Sequence, residues 1–389
     1  MASLKFSNCQ ILTDEGFVPG DLVIEGSVIR KAGPGVADGA SGERIDLAGA
    51  RVAPGFLDLH FHGLKDKTCV GSELADLGRY EAEFGVTGFF AGLVAERRKF
   101  LKLLGQKRLE KQRMTGGARC LGFYLEGPFV GLPGAIEPEW ISPPDLGYCR
   151  ELLAAGGEDV KVMMVSPELP EITGLIELLV SSGVVVALGH TKATPEQMKA
   201  AVDAGARICT HVYNVIDKLP EIIEPGVWPV CGYDALVADD RVTCELICDG
   251  IHVVPIKARI TYKAKRAERL AIITDCNVGA GLPPGRYEIP GWPAVEIRPN
   301  DAVRDAEHGW LSGSALTMDE GVRRSRWVLG CDLAEGCAMA SRTIADTLGM
   351  GDRIGRIREG LDADLVVLDD REQVRMTIVQ GQIVRRNGI

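Results

Sequence analysis

The sequence predicts an α/β protein: a (β/α)8 barrel of the TIM type with a small β-sandwich domain built from both chain ends. Apolar strand-like segments alternate with helical segments through the middle of the chain, whereas both ends carry short strands separated by turns. A chain of 389 residues is long enough for one such barrel with an attached domain. The predicted parts are 1–52 and 346–389 for the β-sandwich and 53–345 for the barrel.

The two chain ends resemble each other in pattern. Near the start, apolar and polar residues alternate in "ILTDEGFVPGDLVIEGSVIRKAG", where Gly and Asp mark the bends. The final stretch, "GLDADLVVLDDREQVRMTIVQGQIVRRNGI", has the same character. Because both ends differ from the middle in the same way, we expect them to meet in one β-domain.

Eight apolar segments of strand length follow one another through the middle: "GFLDLH", "TGFFAGLV", "CLGFYLEG", "VKVMMVSPE", "GVVVALGH", "ARICTHVYN", "VTCELICDGIH" and "LAIITDCN". Helical segments separate several of them. In one, Thr194 is a capping residue, Pro195 occupies the first helical position, and "EQMKAAVDAGA" continues the helix. Eight strands alternating with helices favour a closed barrel over an open sheet.

Composition narrows the classes of partner. The net charge of −10 argues against nucleic acid or an anionic membrane as the main partner, although a local pocket can still bind a small anion. No segment approaches the roughly 18 apolar residues of a membrane span, and the start lacks the layout of a signal peptide. Eleven cysteines are scattered without zinc-ribbon spacing, as in reduced cytoplasmic proteins. We therefore expect a cytoplasmic protein with a small-molecule ligand.

The segment "PGFLDLHFHG" ends a predicted strand with two of the chain's six histidines. Residues i and i+2 of a strand project from the same face, so His60 and His62 point together. Two imidazoles on one face are able to chelate a metal ion, but this short spacing also arises by chance at strand ends. The pair alone leaves both interpretations open.

Further polar residues stand at the ends of the other predicted barrel strands. With the first pair, they form the set His60, His62, Glu126, His190, His211, His252 and Asp275. In a (β/α)8 barrel this rim carries the active site. Without His252, which we leave outside the ligand set, these residues offer nitrogen and oxygen ligands suited to zinc, iron or another first-row divalent ion. The pattern favours a centre of one or two ions, which Glu126 is able to bridge, over a set of ordinary core histidines.

Longer motifs carry a resemblance to a known family: "PGFLDLHFHG", "YLEGPF", "ALGHTKATPEQMKAAVDAGARICTHVYN", "ICDGIHV", "ITDCNVGAG", "GWLSGSALTMDEGVR" and "GDRIGRIREGLDADLVVLD". Through them the chain resembles, nearly end to end, the amidohydrolase superfamily and within it the N-acetylglucosamine-6-phosphate deacetylase family. The members that use a carboxylated lysine are less similar, because Glu126 stands on the third strand here.

The resemblance implies a role for each site residue. Glu126, His190 and His211 would ligate the principal metal ion, and His60 with His62 would hold a second one. Asp275 would be the catalytic acid–base group and a further metal ligand. The residues implied in contacting the substrate are His252, Asn214, Val215, Leu311, Ser312, Gly313 and Ser314.

The implied reaction is metal-assisted hydrolysis of an amide, most simply the deacetylation of an N-acetyl amino sugar phosphate. Asp275 would take a proton from water and return it to the leaving amine, while His252 helps to stabilise the oxyanion. A non-catalytic barrel relative is the competing interpretation, and the presence of all six ligand and acid–base groups speaks against it. The resemblance also implies a homodimer.

Two positions depart from the family pattern. Ile223 stands immediately before "EPG", where phosphosugar deacetylases carry an arginine, and Ile136 stands where many relatives carry a histidine. Isoleucine offers no charge-assisted hydrogen bond, and burying a phosphate without one is costly. The sequence therefore leaves open a non-phosphorylated N-acyl or cyclic amide substrate, unless Lys218 or Arg286 takes over this contact.

Overall fold

The computed structural model of the protein describes residues 3–38, 42–216, 225–227, 229–289 and 293–387. Numbered along the chain, its strands are β1 (Ser3–Thr13), β2 (Gly16–Glu25), β3 (Val28–Gly33), β4 (Glu43–Asp46), β5 (Arg51–Pro54), β6 (Phe56–Phe61), β7 (Gly63–Leu64), β8 (Lys67–Thr68), β9 (Val86–Leu93), β10 (Arg119–Leu125), β11 (Val160–Val165), β12 (Val185–Leu188), β13 (Ile208–Cys209), β14 (Thr243–Ile247), β15 (Leu270–Ile273), β16 (Gly285–Tyr287), β17 (Val295–Ile297), β18 (Val303–Asp305), β19 (Leu365–Leu368), β20 (Val374–Val379) and β21 (Gln382–Arg386).

The helices lie mostly between the strands of the middle region. They are α1 (Leu74–Glu83), α2 (Arg97–Arg113), α3 (Leu146–Gly156), α4 (Ile172–Ser181), α5 (Pro195–Asp203), α6 (Gly232–Ala238), α7 (Pro255–Lys265), α8 (Met318–Val328), α9 (Leu333–Met339) and α10 (Arg342–Thr347), with 3₁₀ turns at Pro138–Trp140 and Gly157–Asp159. The predicted start of α5 is confirmed, because Thr194 and Gln197 form a reciprocal capping box. Within the described residues, no helix has both the length and the apolar character needed to cross a membrane.

A parallel sheet in the order β6-β9-β10-β11-β12-β13-β14-β15 forms the barrel. Its first and last strands meet where Asp275 N donates a hydrogen bond to His60 O, at 2.9 Å. Beside this contact, Thr274 Oγ1 donates to Asp58 Oδ2 at 2.5 Å. The barrel predicted from the eight apolar segments is thus confirmed, and its closure brings the ends of β6 and β15 together.

Neighbouring strand residues pack on opposite sides of the barrel wall. Phe90 and Tyr124 belong to the apolar cluster that collects residues from strands all round the barrel, which is its interior. Phe89 and Phe123 belong to the cluster that also contains the helix residues. Because both faces are covered, the strands read as continuous apolar runs rather than as alternating ones.

The two chain ends form one further sheet, in the order β21-β20-β19-β5-β1-β2-β3, with β4 beside β1. N-terminal β5 pairs antiparallel with C-terminal β19, and Val52 lies opposite Val367. The turns after β20 and after β2 also meet, since Gly381 lies against Gly26. The prediction of one β-domain assembled from both ends is confirmed, whereas the boundaries at residues 52 and 345 stay predictions.

A small antiparallel sheet of β16, β17 and β18 is inserted between β15 and α8. The sequence patterns had not indicated it. The segment that follows β18 returns to the barrel, where Ser314 forms an isolated parallel bridge with Cys276. This insertion therefore brings the loop Leu311–Ser314 to the end of β15.

Candidate active site

The structure brings together at the C-terminal rim of the barrel all the residues predicted as metal ligands. They come from five different strands and are His60, His62, Glu126, His190, His211 and Asp275. His190, His211 and Asp275 each stand two residues beyond a strand and have positive φ angles of 49°, 22° and 44°. This conformation costs a non-glycine residue about 1–3 kcal/mol and is concentrated at functional sites.

The Glu126 carboxylate is the centre of the group. Its Oε1 lies 3.1 Å from His190 Nε2 and 3.3 Å from His211 Nε2. Its Oε2 lies 3.1 Å from His62 Nε2, and His60 Nε2 is 3.7 Å from Oε1. Four imidazoles therefore direct the same ring nitrogen at one carboxylate.

Asp275 lies beside the first pair of histidines. Its Oδ1 is 3.5 Å from His62 Nε2 and 3.9 Å from His60 Nε2. Burial opposes ionisation of Asp275, but the neighbouring imidazoles of His60, His211 and His62 bring its pKa below the ordinary value. Asp275 is therefore a carboxylate at neutral pH and is able to accept a proton.

The donor atoms fit divalent metal ions. The ligand atoms of His60, His62 and Glu126 lie within 4.8 Å of one another, and so do those of Glu126, His190 and His211. His60 Nε2 and His62 Nε2 are 3.1 Å apart, close enough for both nitrogens to ligate one cation. Imidazole and carboxylate ligands in this combination are typical of zinc and iron centres. Glu126 belongs to both of these ligand groups.

Without a metal ion, His62 and Glu126 stabilise each other's charged forms. Burial disfavours the charged form of His62, but the Glu126 carboxylate outweighs it and raises the pKa of His62 to about 9. Burial likewise disfavours ionised Glu126, but His62 and hydrogen bonds from His190 and His211 hold its pKa well below the ordinary value. The negative carboxylate thus attracts protons to the site, and a metal ion has to displace them.

Two of the imidazoles have their other ring nitrogen occupied. His190 Nδ1 lies 2.9 Å from Leu132 O, and His60 Nδ1 lies 3.2 Å from Glu245 Oε2. A neutral imidazole that donates from Nδ1 presents the lone pair of Nε2, which is the atom facing the centre. Within the described residues, the buried Nδ1 of His211 has no hydrogen-bond partner.

Two carboxylates of the site were not predicted from the sequence. Glu245 in β14 is fully buried behind His60, and Asp249 is hydrogen-bonded to His252. The available signal for Glu245 was a lone carboxylate inside the apolar segment "TCELI", because a buried charge requires a partner. His252 itself stands outside the two ligand groups, on the loop after β14.

The predicted substrate loop approaches the site at one end. Ser314 N donates to Asp275 O at 3.2 Å, and a Cβ at Gly313 would lie 3.5 Å from the same oxygen. Ser312 N donates to Val303 O, which ties the loop to β18, and Leu311 is exposed. The structure therefore places Gly313 and Ser314 next to Asp275, with Leu311 and Ser312 further out.

Asn214 and Val215 follow β13 close to His190. The Asn214 side-chain amide donates to His211 O and Val212 O, at 3.3 and 3.4 Å. A Cβ placed on Gly134 would come within 2.9 Å of Val215 Cγ2 and 2.8 Å of His190 Cε1. Glycine at position 134 therefore lets the backbone of this loop pack directly on the His190 ring.

Four residues bear on phosphate binding: Ile223 and Ile136, which depart from the family pattern, and Lys218 and Arg286, which could replace the missing contact. Ile223 and Lys218 lie outside the described residues. Ile136 is buried in the apolar cluster of the barrel interior, and Arg286 is largely exposed, 3.9 Å from Glu288. A phosphate contact from Arg286 or Lys218 thus stays a prediction.

Comparison with known sequences places these features in a family. The amidohydrolase family model matches residues 175–384. N-acetylglucosamine-6-phosphate deacetylase of Bacillus subtilis (strain 168) is 31% identical over 385 residues, which cover 93% of this chain and 95% of that protein. N-acetylgalactosamine-6-phosphate deacetylase of Escherichia coli O157:H7 is 32% identical, over 85% of this chain and 87% of the relative.

Solved structures agree with the sequence relatives. A variant of N-acetyl-D-glucosamine-6-phosphate deacetylase from Mycobacterium smegmatis, solved in complex with N-acetyl-D-glucosamine-6-phosphate, superposes with a TM-score of 0.86 at 30% identity. The match covers 98% of this chain and 99% of that one. These similarities agree with the converging ligand set and the family motifs. The chain therefore belongs to the amidohydrolase family, on its N-acetylglucosamine-6-phosphate deacetylase branch.

Proposed function

We propose that this protein is a metal-dependent amidohydrolase that removes the acetyl group from an N-acetyl amino sugar phosphate. The observation that carries the proposal is the position of Glu126 between four imidazoles, with Asp275 beside them. A carboxylate that is ionised next to a metal-ligand set is the acid–base group that amide hydrolysis requires.

The relatives support the choice of substrate. Proteins named as deacetylases of N-acetylglucosamine-6-phosphate and N-acetylgalactosamine-6-phosphate align with most of this chain. We take N-acetylglucosamine-6-phosphate as the first candidate. A non-phosphorylated N-acyl or cyclic amide is the alternative, because Ile223 replaces the arginine expected for phosphate binding.

The residues of this chain divide the chemistry between them. Glu126, His190 and His211 would hold one divalent ion and His60 with His62 a second, and such ions supply Lewis acidity and an acidified water. Asp275 Oδ1 accepts the proton of the attacking water and later delivers it to the amine, which leaves readily only when protonated. His252, on the loop after β14, donates a hydrogen bond to the developing oxyanion.

Zinc and iron are both suited to these ligands, and we propose two ions per subunit because Glu126 belongs to both ligand groups.

We also propose a homodimer. Four exposed apolar side chains lie around α7 and the end of α8, close to the His252 loop: Val254, Ile256, Ile260 and Trp327. A second copy would cover this patch.

The eleven cysteines are all free thiols, which supports a cytoplasmic location.

The proposal is tested by acetate release from a substrate series with zinc-loaded and iron-loaded protein. The series contains N-acetylglucosamine-6-phosphate, N-acetylgalactosamine-6-phosphate, both unphosphorylated sugars and several N-acetyl amino acids. We expect kcat/KM to be at least about 100-fold higher for a phosphorylated sugar than for its unphosphorylated form, because charge-assisted hydrogen bonds to phosphate strengthen binding. Equal or better cleavage of an uncharged amide would favour the alternative substrate, and no cleavage of any amide would favour a non-catalytic relative.

A further inference from the structure

Glu245 is a charged side chain in a place where charges are rarely found. It lies in the middle of β14, between Cys244 and Leu246, and it is completely buried. A carboxylate without any partner in such a position would be strongly destabilising. Among the described residues, Glu245 Oε1 has no hydrogen-bond partner, and Oε2 makes all the hydrogen bonds of this side chain. Glu245 takes no part in the chemistry described above.

The Oε2 atom of Glu245 is the acceptor for three groups. It lies 3.2 Å from His60 Nδ1, 3.3 Å from His211 N and 3.4 Å from Tyr124 Oη. The Tyr124 ring also stacks on the His60 ring, with centroids 4.1 Å apart and 20° between the planes. Glu245 and Tyr124 therefore hold the His60 imidazole by its edge and by its face.

The consequence concerns the orientation of the His60 ring. Its Nε2 faces Glu126 Oε1 at 3.7 Å and Asp275 Oδ1 at 3.9 Å. The hydrogen bond from Nδ1 to Glu245 Oε2 fixes the orientation of the imidazole, so that Nε2 is directed at the site. Without this acceptor, only the stacked Tyr124 ring would hold the imidazole, and Nε2 would be less firmly directed at a metal ion.

The two halves of the site differ in this respect. His190 donates from Nδ1 to the backbone carbonyl of Leu132, an acceptor that side-chain substitution does not remove. His60 depends on one side chain, which is contributed by a strand 185 positions further along the sequence. The His60–His62 half is thus the one whose ligand geometry depends on a single replaceable residue.

We propose that Glu245 is a positioning residue that holds the His60 ring with Nε2 directed at the metal site and so determines whether the second metal ion is bound. This inference rests on the proposed two-ion centre. It predicts a specific loss: removal of the Glu245 carboxylate empties the His60–His62 half and leaves the ion on Glu126, His190 and His211.

The test is a metal titration of purified, metal-stripped protein with Zn²⁺, with bound ions counted by elemental analysis after desalting. Glu245→Leu removes the acceptor, and Glu245→Gln retains the size of the side chain and makes it neutral. His60→Asn serves as the reference for loss of the second site. Tyr124→Phe is the matched control, because it removes another hydrogen bond to the same carboxylate oxygen but keeps the stacked ring.

We expect two ions per chain for the wild type and Tyr124→Phe, and one for Glu245→Leu and His60→Asn. In Glu245→Gln the second ion should bind about 10-fold or more weakly, as is usual when the partner of a ligating histidine is changed. Should Glu245→Leu fail to fold by circular dichroism, Glu245→Gln decides the matter. If folded Glu245→Gln binds both ions with wild-type affinity, the role of Glu245 is overturned and the two-ion centre stands. If the wild type binds fewer than two ions, the two-ion centre is overturned and the role of Glu245 with it.

Discussion

His252, which is partly buried, and the buried Asp249 form a hydrogen-bonded pair on the loop that follows β14, with His252 Nδ1 2.6 Å from Asp249 Oδ2. The other oxygen, Asp249 Oδ1, accepts from the backbone N–H groups of Ile251 and His252, at 2.8 and 2.9 Å. Arg324 also donates to the Asp249 carbonyl. The carboxylate is therefore fixed on several sides, and it fixes the orientation of the imidazole in turn.

Replacing Asp249 should impair catalysis without removing metal. In Asp249→Asn the amide is able to donate as well as accept, so the tautomer of His252 is no longer enforced. We expect kcat/KM to fall about 10–100-fold, mainly through kcat, with unchanged metal content and thermal stability within a few degrees. Steady-state kinetics with elemental analysis would measure this, and wild-type kcat would contradict a role for Asp249 in positioning His252.

The convergence of the candidate ligands was predictable from the sequence because of a general property of parallel barrels. The C-terminal ends of all strands meet at one rim, so residues as distant as His60 and Asp275 become neighbours once the strands are recognised. Glu245 and Asp249 could not be found in this way. Their function depends on which imidazole each one contacts, and that follows from strand register and side-chain direction, which apolar patterns do not specify. The small sheet of β16–β18 escaped prediction because strands of three residues carry little periodicity.

Replacing Asp275 should abolish turnover and spare the fold. Asp275→Asn keeps the size of the side chain but removes the group that accepts and returns the proton. We expect kcat to fall about 1,000-fold or more, while the far-ultraviolet circular dichroism stays that of the wild type and an ion on Glu126, His190 and His211 is retained. Turnover comparable to the wild type in metal-loaded Asp275→Asn would exclude this residue as the proton carrier.

Replacing His190 should lower metal content. Its Nε2 is 3.1 Å from Glu126 Oε1, and asparagine does not reach as far as an imidazole. We expect His190→Asn to retain at most one of the two ions. His308→Asn is the matched control, because His308 is exposed and bonded only to Asp305 among the described residues. Equal metal content in His190→Asn and His308→Asn would count against His190 as a ligand.

Metal binding should release protons and depend on pH. The pKa of His62 in the metal-free site is about 9, because Glu126 outweighs burial, so His62 carries a proton at pH 7 that an ion has to displace. Affinity for the ion at His60 and His62 should therefore fall as pH decreases below about 9. Calorimetric titrations with Zn²⁺ in buffers of different ionisation enthalpy would detect about one released proton for this ion.

The raised pKa of His62 also predicts that the metal-free protein becomes less stable as pH rises. A histidine whose folded pKa is raised stabilises the fold fully below its unfolded pKa of about 6.5, and this contribution is lost as pH rises through the folded value. The thermal midpoint of metal-free protein should thus decrease between about pH 6.5 and 9, whereas that of the loaded protein should not. A midpoint that rises over this range without metal would be inconsistent with the His62–Glu126 pair.

Adding one methyl group at Gly134 should disturb the metal site from outside the ligand set. Gly134 has a φ of 56°, in the region that disfavours side chains, and its Cβ would lie 2.8 Å from His190 Cε1 and 2.9 Å from Val215 Cγ2. Nearby, Leu132 N donates a hydrogen bond to His190 O, and Leu132 O accepts one from His190 Nδ1. The loop therefore cannot move away without breaking these hydrogen bonds to His190. We expect Gly134→Ala to lower the free energy of unfolding by about 1–3 kcal/mol and to weaken metal binding.

Gly105→Ala is the matched control for this prediction, because Gly105 lies in α2 and nothing stands within 4 Å of a Cβ built there. Alanine in an open helical position should leave metal binding unchanged and raise stability by about 0.5–1 kcal/mol. Denaturant unfolding and zinc titration of both variants separate the two effects. If Gly134→Ala binds zinc as tightly as Gly105→Ala does, the packing of this loop on His190 has no bearing on the metal site.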